Sequence, residues 1–255
     1  YWWEYIHRFL GRLIGIFYLL PLIFFTYKKI IKKKLLISFY SIFFLILLQG
    51  FIGWYMVQSG LTERTDVSHY RLSIHLTMAF IIFIFLLWNY LKYKQINKFD
   101  PLDKIPFNLP LIFLFLVLTQ ISLGALVSGL DAGQIYQTWP LMDKNYFPDD
   151  SVLLDLFKKS VFDNPSLLQF IHRNVAYIIF VFFLIIFLIT FTNKRFIYLR
   201  KTIIYVFFAL LLQSILGILT VLSGAQIVLA SMHQIGSIIL ITTSLILVFK
   251  NSKIS

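Results

Sequence analysis

Glu4-Tyr5-Ile6-His7-Arg8-Phe9-Leu10-Gly11-Arg12 (EYIHRFLGR) puts an acid, a histidine and two arginines into the first turns of an apolar run. Gln169-Phe170-Ile171-His172-Arg173-Asn174 (QFIHRN) opens another apolar run in the same manner, 165 residues later. Ionisable groups inside a hydrophobic helix are costly and mark functional positions. Their return is part of a wider repeat. QGFIGWYMVQSG at 49–60 aligns with QSILGILTVLSG at 213–224, and YRLSIHL at 70–76 aligns loosely with VLASMHQ at 228–234, at offsets of 164 and 158 residues. Order and spacing persist, as in membrane proteins built from two like halves with equivalent sites in each.

The composition fits that reading. Of 255 residues 59% are hydrophobic and only 13% charged, a balance foreign to a soluble domain. Seven apolar runs reach the roughly 20 residues needed to cross a bilayer, at about 5–27, 35–61, 70–91, 108–130, 169–192, 202–224 and 228–249. Each is expected to be a helix, because lipid leaves no partner for open backbone groups. The first run starts too polar, and lacks a cleavage-like site, to read as a signal peptide. The absence of cysteine excludes disulfides, iron–sulfur clusters and thiolate zinc sites within this sequence.

The net charge of +12 does not point to nucleic acid, because of where it lies. Fifteen of the 23 lysines and arginines cluster at 28–34 (KKIIKKK), 92–104, 194–201 and 250–253, all on one side if the spans alternate. The opposite loops hold Arg64, Lys144, Lys158 and Lys159, and most of the acids; only Asp100 and Asp103 join the basic side. Positive charge stays on the cytoplasmic or matrix side, so residue 1 is expected outside and residue 255 inside. The basic loops read as orientation signals and contacts to membrane lipid head groups.

A third relative of the repeated segment, QISLGALVSG at 120–129, precedes the second His-Arg helix. By symmetry one such span should precede the first, which gives an all-α parent of two four-helix bundles with seven spans visible here and the first of eight missing. The alternative is a genuine seven-helix protein. The expected division is 1–107 for the first bundle and 108–255 for the second, with a long outer loop at 131–168. Within that loop DDSVLLDLFKKSVF (149–162) mixes apolar and charged residues at helical spacing, predicting a short helix at the membrane surface, as a lid or a connector.

His7, His75, His172 and His233 all lie in apolar spans near their outer ends, whereas His69 falls in an outer loop and is expected in solvent. His75 follows Tyr70 by five residues, roughly 7–8 Å along the axis. All four helices run outside to inside, so His7 can face His75 in one half and His172 can face His233 in the other. Two imidazoles from different helices are the axial ligands a six-coordinate haem iron requires. Zinc wants a third or fourth ligand. Copper usually adds Met or Cys, and only Met232 is near. A lone histidine bonded to a neighbouring helix, or a proton relay, remains an alternative that explains the repeat less well.

Arg8, Arg12, Arg71 and Arg173 share the histidine-bearing helices near the outer boundary, where guanidinium forks suit haem propionates; snorkelling to lipid phosphate is the competing role. Gly53, Gly124 and Gly217 suit close approach of helices or of a flat ring. Gln49, Gln120 and Gln213, each four residues earlier, are expected to hydrogen-bond across helices.

EYIHRFLGR, GWYMVQSGL, VSHYRLSIHL, LGALVSGLDAG followed by TWPLM, QFIHR and the final SMHQ together resemble the haem A synthase family, over nearly the whole chain. The resemblance implies eight spans in two halves, one holding the haem substrate and the other a haem b. It implies an oxidoreductase that turns haem O into haem A: successive hydroxylations of one methyl group give a hydrated aldehyde, which dehydrates to a formyl group. The setting implied is a bacterial cell membrane or mitochondrial inner membrane. Haem O synthase, oxidase assembly factors and a second copy of the chain are the candidate protein partners.

Glu4 and Gln169 each precede a histidine by three residues, hence on one helical face. Only Glu4 can take a proton, so the substrate haem is assigned to His7 and His75, and haem b to His172 and His233, with Glu4 as the catalytic base. The family's catalytic acid falls on this same Glu4. Its alternative role is to stabilise a helix N-terminus. Two other functions compete. A di-haem b-type membrane electron carrier leaves its haem unmodified. A transporter or haem-delivery protein usually breaks helices at mid-depth, whereas Pro21 and Pro110 lie near span ends.

Overall fold

The computed structural model describes residues 2–58, 67–94 and 103–252. Seven helices long and apolar enough to cross a membrane dominate it: α1 (Trp2–Tyr27), α2 (Lys33–Gln58), α3 (His69–Tyr93), α4 (Leu109–Gly129), α5 (Pro165–Thr192), α6 (Arg200–Leu222) and α7 (Ile227–Asn251). They coincide with the seven apolar runs, and the chain is an all-α, multi-pass membrane protein. Pro21 lies inside α1 rather than at its end. Arg64, Lys98 and Asp100, used in the charge argument, and the end of GWYMVQSGL lie outside the described residues.

Several hydroxyl side chains of these apolar helices are satisfied locally. Thr26, Thr190 and Ser244 donate back to the carbonyls of Leu22, Ile186 and Leu240, at 2.7, 2.8 and 2.6 Å. That bond lets a hydroxyl sit in a water-free helix face without an orphaned donor.

The chain forms two compact units, 1–86 and 87–255, with the boundary inside α3. In the first, α1 packs on α2, and Tyr18 donates to the Phe39 carbonyl at 3.1 Å. The second unit is a ring of helices: α4 meets α5 and α7, and α6 meets α5 and α7. Phe113, Phe183, Ile203 and Ile241, one from each helix, are fully buried in it. The last turns of α3 belong to this unit, where the Trp88 ring meets Phe249 edge-on at 5.1 Å. On the basic side, Ile105 donates its N–H to Asn251 at 2.9 Å, and Arg200 donates to the Phe191 carbonyl at 2.7 Å. A cation on the last carbonyls of α5 satisfies groups that every helix C-terminus leaves open.

Between α4 and α5 the outer segment differs from expectation. Instead of one surface helix it forms two 3₁₀ turns, Leu153–Phe157 and Lys159–Asp163, divided at Lys158, whose backbone is extended. Asp155 is the cause: its carboxylate accepts from the Val152 N–H at 2.9 Å and pairs with Lys158 at 2.6 Å, closing a single tight turn. Leu154 and Phe157 remain 74% and 88% exposed, an apolar edge suited to a membrane surface.

Candidate functional site

Three of the four span histidines sit in one repeated arrangement. The Gln49 amide donates to the main-chain carbonyl of His75 at 3.1 Å, Gln120 to that of His172 at 2.8 Å, and Gln213 to that of His233 at 2.8 Å. One turn further along α2, α4 and α6, a Cβ added at Gly53, Gly124 or Gly217 would stand 2.9, 3.2 or 3.0 Å from the Cε1 of the same histidine. A Cβ almost never stands as near as 2.9 Å, and 3.0–3.2 Å is tighter than nine in ten such contacts. The glycine is therefore what lets the imidazole edge lie against the neighbouring helix, and the glutamine pins the register. The sequence gives both residue types the right spacing; which backbone group the glutamine binds is visible only in three dimensions.

The Nδ1 atoms of His75, His172 and His233 are buried and have no hydrogen-bond partner, and so are the Oε1 atoms of Gln49, Gln120 and Gln213. Buried polar groups left open cost about 1–3 kcal/mol each, so an orphan that recurs three times calls for a ligand or a rearrangement.

His7, on the exposed face of α1, stands 6.4 Å from His75 between ring centroids, with the planes at 75°. Imidazoles bound through nitrogen at roughly 2 Å on opposite sides of one metal ion have centroids roughly 6 Å apart. In the second unit His172 on α5 and His233 on α7 are the counterpart histidines, each held by its own glutamine. Among the described residues no three His, Cys, Asp or Glu side chains converge as a protein-only metal site. A porphyrin brings four ligands of its own and needs only such pairs. The donors present therefore fit haem.

Glu4 forms an ion pair with Arg8 one turn along α1, both side chains about half exposed. Arg12 is exposed on the same helix. The Arg71 guanidinium lies 4.6 Å over the Tyr55 ring. Aromatic stacking holds such a group while leaving its N–H edges open to an anion. His69, expected in solvent, begins α3 half-buried with its ring 4.1 Å from that of Tyr70.

Arg173 is placed differently. It is buried, and donates to the carbonyls of Tyr136 (2.9 Å), Thr138 (2.9 Å) and Leu141 (3.3 Å). Gln169 donates to the Tyr136 carbonyl as well, at 3.0 Å. The Trp139 indole donates to Tyr177 at 3.0 Å, and the Tyr146 hydroxyl to Asn174 at 2.5 Å. The outer segment thus folds down onto the turns of α5 that carry His172. α5 itself starts where Asn164 accepts from the Leu167 N–H at 3.1 Å, with Ser166 donating to Asp150 at 2.6 Å. Tyr136 donates to Asp149 at 2.5 Å; burial first, and that hydrogen bond second, push its phenol up to about 12. Sequence reading missed these contacts, apart from the motif TWPLM that turns out to carry Thr138, Trp139 and Leu141.

Comparison with known proteins agrees with the geometry. The chain is 47% identical to the haem A synthase of Pelagibacter ubique (strain HTCC1062) over 255 residues, 99% of this chain and 74% of that protein. It is 42% identical to the haem A synthase of Rickettsia bellii (strain RML369-C), over 94% of this chain and 71% of that one. To the haem A synthase of Ehrlichia canis (strain Jake) it is 39% identical, over 93% and 67%. Residues 1–245 match the pattern of one family, and the chain belongs to that family, COX15-CtaA, the cytochrome oxidase assembly proteins.

Proposed function

We propose that this chain makes haem A by oxidising one methyl group of bound haem O to a formyl group. With water as the oxygen source the balance is CH3 + H2O → CHO + 4H+ + 4e−, so the site needs a base for the protons and a one-electron centre that hands the four electrons, one at a time, to an external oxidant in the membrane. The observation that carries the reading is the His7–His75 pair, 6.4 Å apart, with the Glu4 carboxylate one turn behind His7. In this reading His7 and His75 hold haem O, and Glu4 takes the protons released at the methyl carbon or at the water. The ion pair with Arg8 holds the Glu4 carboxylate in place on α1. Arg8, Arg12 and Arg71 meet the propionates at the outer boundary.

His172 and His233 hold haem b, which supplies a one-electron redox centre when bound. Two observations support this division. A carboxylate precedes the histidine only on α1, whereas its counterpart Gln169 is buried and bonded to the outer segment. A cover stitched to α5 suits a haem that stays. Arg173 holds that cover with its Nη atoms and keeps a buried, unpartnered Nε for a propionate. The basic clusters support an orientation with residue 1 outside and the C-terminus in the cytoplasm. Haem O synthase and oxidase assembly factors are the partners this chemistry requires before and after it.

The test is extraction and chromatography of the haem bound to the purified protein. Haem b together with haem O or haem A is expected, and Glu4→Ala should lose haem A while haem O accumulates. Haem b alone in every preparation would point to a di-haem electron carrier, and normal conversion in Glu4→Ala would remove Glu4 from the chemistry.

A further inference from the structure

The glutamines facing the histidines do more than pin helices. Their amide Nε2, bonded to the histidine carbonyl, also lies 3.3 Å from the His75 Nε2 and 3.4 Å from the His172 Nε2. An amide nitrogen only donates, so the ring nitrogen opposite it is an acceptor and a neutral ring carries its proton on Nδ1. The arrangements on α2 and α4 then each hold a buried N–H without an acceptor, on the imidazole, beside a buried oxygen without a donor, on the carboxamide; the Nδ1 of His233 and the Oε1 of Gln213 are likewise buried without partners.

Resting on the haem reading above, we propose that Gln49, Gln120 and Gln213 are positioning residues: the carboxamide Oε1 accepts from the imidazole Nδ1–H, leaving Nε2 for the iron. One rotation of the ring turns two orphans into one hydrogen bond while the amide N–H keeps the main-chain carbonyl. The glycine one turn away carries no Cβ against the ring edge. A metal-bound imidazole needs a partner of this kind on its second nitrogen, which fixes the tautomer and raises the basicity of the ligand. The same glutamine-to-glycine spacing on α2, α4 and α6 makes it a common device of both haem sites.

The measurement is redox titration of the haem b in the purified, haem-loaded full-length protein, followed by its visible absorption. Gln120→Glu offers a stronger acceptor, makes the imidazole more electron-donating and is expected to shift the midpoint potential down. Gln120→Leu offers none and is expected to shift it up. Gln213→Glu and Gln213→Leu should repeat the pattern. A role confined to pinning helices would move both substitutions the same way or not at all, and either result overturns the proposal. Should Gln120→Leu fail to retain haem, Gln120→Glu decides by itself: a lowered potential supports the pairing, and an unchanged or raised one overturns it. A wild-type protein without haem would instead overturn the functional reading.

Discussion

Arg173 and Tyr136 meet through a guanidinium Nη2 donating 2.9 Å to a main-chain carbonyl, and Gln169 donates to the same oxygen at 3.0 Å. Two side chains one helical turn apart on α5 thereby hold the outer segment over His172. Hydrogen bonds from a charged donor contribute about 1.5–3 kcal/mol each, and carbonyls left open add a penalty. Arg173→Ala is expected to cost on the order of 3 kcal/mol and to expose residues 131–164 to limited proteolysis. Arg173→Lys should recover only part of this, because an ammonium cannot span three carbonyls as a planar fork does. Unchanged protease resistance in Arg173→Ala would show that the cover holds without it.

Gln169→Glu tests the contrast with Glu4. The new carboxylate would face the Tyr136 carbonyl with no proton to donate, inside a site that is 2% exposed. Destabilisation on the order of 2 kcal/mol is expected, measured by thermal unfolding in detergent. No second oxidising centre should appear: haem extracted from the second unit should remain haem b. Haem A formed there would mean that an acid three residues before the histidine suffices for the chemistry.

Much of this was legible in the residues because membrane helices obey a simple rule. Runs of about 20 apolar residues must span as helices, so all seven could be read directly. The histidine pairs followed from the repeat and from alternating direction. The outer segment was not legible in the same way. Its apolar spacing at 149–162 reads as a helix, and the side chain that breaks it, Asp155, acts through a backbone N–H and a neighbouring lysine. Arg173 was hidden for a related reason. Its partners are main-chain carbonyls, which every residue has, so no side-chain pattern announces them.

The Tyr136 phenol gives the outer segment an alkaline limit. Its folded value of about 12 lies above the ordinary 10, so the folded protein holds this proton more tightly than the unfolded chain. The stability it contributes is fully present below pH 10 and is lost as pH rises through about 12. Protease sensitivity of the outer segment should rise across that window. Tyr136→Phe has no phenol to titrate. It should start less stable by about 1 kcal/mol, for the lost bond to Asp149, and show a flatter alkaline profile. An identical alkaline transition in Tyr136→Phe would assign it to another group.

The glycines make a graded prediction. At Gly53, Gly217 and Gly124 an added Cβ would come within 2.9, 3.0 and 3.2 Å of a histidine Cε1, whereas at Gly11 and Gly15 it meets nothing within 4 Å. Alanine at the last two should be neutral or stabilising by up to about 1 kcal/mol, because glycine is a poor helix former. Alanine at the first three must push the imidazole off the neighbouring helix, an overpacking that costs about 1–3 kcal/mol and falls on the ligand itself. Haem retention, read as Soret absorbance per protein, should therefore drop in the order of the distances: most for Gly53→Ala, least for Gly124→Ala. Gly236→Ala belongs to the same series for a different reason. Its Cβ would stand 2.5 Å from the Gln213 Oε1, so it displaces the carboxamide rather than the ring. It should leave haem bound and move the spectrum and potential of the haem proposed at His233 in the direction of Gln213→Leu. Equal haem retention across all these alanines would show that the glycines serve helix packing alone.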